Sequence, residues 1–163
     1  MTDLKTLYDK DFVSWTEQQA AALRAAGRTA SNQQLDWENL AEEIESLGRS
    51  ERRELRSQIR RIILHLLKLE HSPATEPQRG WIESIGDSRS EIEALLEESP
   101  SLKNELGVAV TSEFRRAARK AIFELEGFGE LDEATSARIH AASYTPDQVL
   151  GDWLPPEPQE PRG

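Results

Sequence analysis

Any chemistry in this chain has to start from a short list of side chains. Three histidines and no cysteine are found among 163 residues, which excludes thiolate nucleophiles, thiolate metal sites and disulfides. A metal would need His, Asp or Glu. His65 and His71, six positions apart on one helix, fall on opposite faces, whereas two imidazoles that share an ion along a helix need i, i+4 spacing. His65 facing a carboxylate from another element, Asp36 or Glu43, would make the acid/base pair of a hydrolase-like enzyme. The same imidazole bonded to one carboxylate at a core margin is a common structural arrangement, and His140 suggests nothing further. Neither a metal nor a cofactor is expected.

The acids Asp36, Glu38, Glu42, Glu43 and Glu45 come without an intervening base, and a magnesium-binding hydrolytic cluster could be drawn from them. Neighbouring acids on a helix point apart into water, however, and no Glu has a His three residues later, as paired di-metal motifs require. Six arginines follow, Arg49, Arg52, Arg53, Arg56, Arg60 and Arg61, with a weaker echo at Arg115, Arg116, Arg119 and Lys120. A face built on Arg49, Arg53, Arg56 and Arg60 would be the contact stripe of a nucleic-acid binder. The net charge of −10 and the interleaved Glu51 and Glu54 oppose that use, so nucleic acid is not an expected partner. There is no G-x-S-x-G, phosphate-cradling glycine loop or dinucleotide fingerprint.

The elements that must position these residues are helices. Apolar residues recur at steps of three and four through most of the chain, with almost no alternation of the strand type. Tyr8, Phe12, Trp15, Leu23 and Ala26 predict a first helix over about 9–26, ended at Gly27. Asp36 is the predicted N-cap of the second, with Leu35 packing on Leu40 as a staple. Its stripe of Trp37, Leu40, Ile44 and Leu47 resumes after Gly48 as Leu55, Ile59, Ile62, Leu66 and Leu69, so either one bent helix or two meeting at Gly48 are expected. Ser72-Pro73 stops it. A third helix carries Trp81, Ile85, Ile92, Leu95 and Leu96 up to Ser99-Pro100, and a fourth carries Leu102, Leu106, Val110, Phe114, Ala117, Ala121 and Leu125 up to Gly127-Phe128-Gly129. A short helix over 132–142 and a capping box at Thr145-Pro146-Asp147-Gln148 complete the pattern.

The expectation is thus an all-α bundle of about five main helices with a short C-terminal helical turn, a single domain over 1–154, and a flexible proline-rich tail over 155–163. The longest apolar run, Ile62 to Leu67, is interrupted by His65 and is far shorter than the ~20 residues of a membrane span. With no signal-like N-terminus, the expected place is the cytoplasm.

Several segments together carry a resemblance. They are Tyr8-Asp9-Lys10-Asp11-Phe12 with Trp15, Leu35-Asp36-Trp37-Glu38-Asn39-Leu40 with Glu42-Glu43-Ile44-Glu45, and His65-Leu66-Leu67-Lys68. Trp81 with Ile85, Ser99-Pro100-Ser101-Leu102, and Tyr144-Thr145-Pro146-Asp147-Gln148-Val149-Leu150 extend it. In this order the chain resembles bacterial domain-of-unknown-function family 29. The resemblance implies a helical fold and carries no activity, cofactor or partner. Rich helical stripes without catalytic signatures favour an interaction module that meets a protein partner through a groove or helix face. The oligomeric state is left open.

Overall fold

Helical periodicity becomes helix along nearly the whole chain. The computed structural model describes residues 3–29 and 33–156. Among them are α1 (Leu4–Lys10), α2 (Phe12–Thr29), α3 (Trp37–His71), α4 (Gln78–Glu98), a 3-10 segment (Pro100–Glu105), α5 (Leu106–Gly127), α6 (Glu133–Ala141) and α7 (Pro146–Leu150), with no strand. No helix among the described residues is long and apolar enough to cross a membrane. The chain packs as two units, Met1–Leu55 with Glu93–Asn104 and Arg56–Ile92 with Glu105–Gly163. The expected tail lies outside the described residues beyond Pro156.

In the first unit the expected single N-terminal helix is two. Asp11 is extended, with φ −157° and ψ 93°, and it separates α1 from α2. The reason is polar. Its carboxylate accepts from Ser14 N at 2.9 Å, from Ser101 N at 2.7 Å and from Ser101 Oγ at 2.9 Å, while Ser99 Oγ accepts from Val13 N at 3.1 Å. Amides that open α2 and have no intrahelical partner are thereby satisfied by side chains. Burial pushes the Asp11 carboxyl up, but the hydrogen bonds from Ser14 and Ser101 outweigh it and hold the group below its ordinary range.

Gly27, expected to end a helix, and Gly48, where one bent helix or two were expected, are both points of close approach. α2 runs past Gly27 to Thr29, and a Cβ on Gly27 would lie 2.6 Å from the Cβ of Trp37. α3 runs unbroken through Gly48, where a Cβ would lie 2.5 Å from Thr16 Oγ1. Asp36 does cap α3, accepting from Asn39 N at 3.2 Å. Leu35 and Leu40 remain 49% and 43% exposed, so the staple expected there removes little apolar surface from water.

In the second unit α3 is buried almost all round. Ile62, Ile63, Leu64, Leu66 and Leu67 are consecutive core residues except for His65 among them, the pattern of a helix enclosed by others rather than one lying on a surface. Ile85 of α4, Val110, Ala117, Ala121 and Leu125 of α5, and Ile139 of α6 complete this core. Each large side chain so enclosed contributes about 1.5–3 kcal/mol. Gly129, at φ +70°, supplies the left-handed residue that turns the chain after α5. Asp132 caps α6 through Thr135 N at 2.6 Å, and both bonds of the Thr145–Gln148 capping box are present.

α7 is held from outside as well as by its cap. Arg89 donates to the backbone carbonyls of Gln148 at 2.9 Å, Val149 at 3.0 Å and Trp153 at 2.8 Å. Its guanidinium meets the carbonyl end of a helix, where a cation is favoured. The Tyr144 hydroxyl, just ahead of α7, donates to Glu70 Oε2 at 2.6 Å, and its ring lies 5.5 Å from that of Phe114 and 5.6 Å from that of Trp153.

Candidate functional site

Asp36 and Glu43 belong to the first unit and His65 to the second. Asp36 precedes α3 as its N-cap, and Glu43 and His65 are both residues of that helix. Asp36 is spent on its cap, and Glu43 is exposed. The acids of the hydrolytic pair are expected from an element other than that of His65; α3 runs through Gly48, so Glu43 and His65 belong to the same helix. Among the described residues no group of three or more His, Asp or Glu is arranged to hold a metal ion.

What surrounds His65 is mostly positive. It lines a cleft of about 270 Å³ with Ser57, Arg60, Arg61, Leu64 and Lys68 of α3 and Lys120 and Glu124 of α5. The steps 57, 60, 61, 64, 65 and 68 keep to one face of α3, and 120 and 124 to one face of α5. Lys68 is ion-paired with Glu124 and stands 5.6 Å from the Trp81 ring centroid. Lys120 reaches Glu124 at 4.0 Å, and Arg60 reaches the buried Glu113 at 3.4 Å. His65 Nδ1 is buried with no hydrogen-bond partner among the described residues. Burial, and then the charges of Lys68, Arg61 and Lys120, lower the imidazole to about 4 against the opposing pull of Glu124. His65 is thus neutral at neutral pH.

The expected arginine face is divided by its partners. Arg49 pairs with Glu42 at 2.5 Å and Glu45 at 3.7 Å, and Arg52 with Glu17 at 2.6 Å. Arg60 turns to Glu113, while Arg53 and Arg56 are exposed. Arg24, which no motif had singled out, gathers Glu38 at 2.9 Å, Glu42 at 3.6 Å and Glu45 at 2.9 Å. The acidic run of α3 is therefore largely compensated within its own unit.

A second feature lies at the N-terminus of the first unit. Tyr8, Phe12 and Trp15 form one aromatic cluster, with Tyr8 edge-on to Phe12 at 5.8 Å and to Trp15 at 4.8 Å, and Phe12 stacked on Trp15 at 5.9 Å. Two clefts share Tyr8 and Asp9. One of about 440 Å³ is lined by Leu4, Lys5, Tyr8, Asp9, Trp15 and Gln19, and the other, of about 400 Å³, by Tyr8, Asp9, Phe12, Glu51 and Glu98. Tyr8 remains 51% exposed and Leu4 40%. Glu51 is raised above the usual carboxylate range, first by burial and then by Glu98 and Glu54, as expected of an acid that meets like charge. Tyr8 is exposed and Phe12 and Trp15 are half-buried, so the three rings form a half-open surface cluster beside the break at Asp11.

The family model described as "Domain of unknown function DUF29" matches residues 7–154. The chain belongs to the DUF29 family. Its matched region takes in both the aromatic cluster and the His65 cleft. A solved structure, the crystal structure of an α-helical protein of unknown function from Rhodospirillum rubrum, is similar to this DUF29 chain. Identity is 27%, the match covers 89% of each chain, and the TM-score is 0.68. No curated protein matches. Neither family nor neighbour carries an activity.

Proposed function

We propose that this DUF29 protein is a small helical interaction module whose partner is a protein segment presenting an apolar side chain beside Arg or Lys. One observation carries the proposal: Asp9, Glu51 and Glu98 line a cleft walled by Tyr8 and Phe12, and among the described residues no base lines it. Aromatic faces with nearby carboxylates attract a guanidinium or ammonium through both the ring quadrupole and the charge. The neighbouring cleft over Leu4, Tyr8 and Trp15 receives the apolar side chain. A net charge of −10 favours encounter with a basic segment.

The test is a peptide panel that pairs Leu or Trp with Arg or Lys at varied spacing, alongside the same peptides with Glu in place of the base, read by fluorescence anisotropy. Basic peptides should bind and acidic ones should not, with Tyr8→Ala and Glu51→Gln each weakening binding about tenfold. Indifference of binding to peptide charge, or to both substitutions, overturns the proposal.

A further inference from the structure

We propose that the cleft between α3 and α5 in the second unit is a binding site for the phosphate group of a small phosphorylated molecule. Four cations, Arg60, Arg61, Lys68 and Lys120, line it against one acid, Glu124, in a chain whose net charge is −10. Concentrating positive charge in this way is unfavourable unless an anion shares the space, because like charges in a partly desolvated cleft repel. Two of the four are already held in place, Arg60 by buried Glu113 and Lys68 by Glu124 and the Trp81 face. Arg61 and Lys120 are exposed, and Lys120 reaches its one ion-pair partner, Glu124, only at 4.0 Å.

The choice of phosphate follows from the arrangement of donors. A carboxylate offers two coplanar oxygens, which one guanidinium satisfies edge-on. A phosphate monoester presents three terminal oxygens and close to two negative charges at neutral pH, and so takes donors arriving from several directions. Here they come from two helices: Arg61 and Ser57 from α3 and Lys120 from α5, with His65 also lining the cleft. Its imidazole adds a neutral N–H, and its unpartnered Nδ1 leaves it room to take a proton when an anion enters. The volume of about 270 Å³ suits a headgroup and little more.

The experiment uses the full chain, with inorganic phosphate, glycerol phosphate and phenyl phosphate as probes, and chloride and acetate at matched ionic strength as controls. Thermal unfolding and the imidazole resonances of the three histidines are followed during each titration. Saturable stabilisation by both monoesters is expected, with His65 resonances moving and those of His140 still. Arg61→Gln combined with Lys120→Gln, both at exposed positions, should lower the affinity at least tenfold while leaving the unliganded helical spectrum unchanged. Stabilisation no greater than that by chloride or acetate overturns the proposal. So does binding that the double variant retains, movement of His140 in place of His65, or a response to inorganic phosphate without either ester.

Discussion

Gly48 and Thr16 hold α2 against α3 at a distance that admits no further atom, since a Cβ on Gly48 would stand 2.5 Å from Thr16 Oγ1. Thr16 is fully buried and donates to Val13 O at 2.7 Å, so its hydroxyl is not free to swing aside. In an exposed helix, Gly→Ala stabilises by about 1 kcal/mol. Here the clash should win, and Gly48→Ala is expected to destabilise by about 1–3 kcal/mol. Urea denaturation of Gly48→Ala, Thr16→Ala and the double variant checks this. The double variant should be more stable than the sum of the single effects indicates; additivity would refute the contact.

Asp36 caps α3 from an exposed position, its Oδ1 accepting from Asn39 N and its Oδ2 from Asn39 Nδ2 at 2.6 Å. Asp36→Ala is expected to destabilise by about 1 kcal/mol, and Asp36→Ser to restore most of that. Chemical denaturation of both variants measures it, and equal midpoints for Ala and wild type would contradict the cap.

These two sites show what the amino-acid pattern could and could not disclose. Asp36 was legible because an N-cap is a local device, written in a few adjacent residues, as is the Thr145–Gln148 box. Gly48 was not, because its reason is Thr16, thirty-two positions earlier, and periodicity carries no information about partners on other helices. Asp11 misled for the same reason: Ser101 rewards the break there, and an unbroken apolar stripe concealed it. The candidate sites fared likewise. His65 was marked by type, but Lys120 and Glu124 of α5 join its cleft through tertiary packing, and Glu43, one of the acids assigned to it, belongs to its own helix.

Arg89 shows how one half-buried cation can hold a C-terminal segment. It serves three carbonyls from a single guanidinium, two of them in the last turn of α7. Lysine keeps the charge but not the planar fork. Arg89→Lys should therefore destabilise by about 2 kcal/mol, the loss of hydrogen bonds to a charged donor. Hydrogen exchange of amides from Val149 to Trp153 should rise ahead of those in α5. Uniform exchange across both would mean that Arg89 does not hold this segment in particular.

His65 makes a prediction about acid. Its folded value of about 4 lies below the ordinary 6.5, so between these limits the unfolded chain binds a proton that the folded chain does not. Its contribution to stability is present in full above about pH 6.5 and is lost as the pH falls toward 4. His71, lowered mainly by burial, acts in the same direction, whereas Glu51, raised mainly by burial, acts in the opposite one. His65→Gln should therefore show a smaller loss of unfolding free energy between pH 7 and pH 4.5 than wild type, with His71 accounting for part of the remainder. Parallel stability profiles for the two proteins would exclude a neutral, desolvated His65.

The arginines of α3 give the last prediction, which separates a pocket for one phosphate from a groove for many. Duplex binding draws its affinity from several cations neutralising successive phosphates, and it weakens steeply with salt. Arg49, Arg52 and Arg60 are each tied to acids, which leaves Arg53 and Arg56 as the exposed pair of the expected stripe. Two such charges on a chain of net −10 are too few to hold a polyanion near physiological salt. Labelled DNA and RNA titrated at low and physiological salt should show no appreciable binding at the higher concentration, with Arg53→Glu/Arg56→Glu as the control. Micromolar binding that survives physiological salt and disappears in that variant would make the exposed arginines the working surface in place of the cleft and the aromatic cluster.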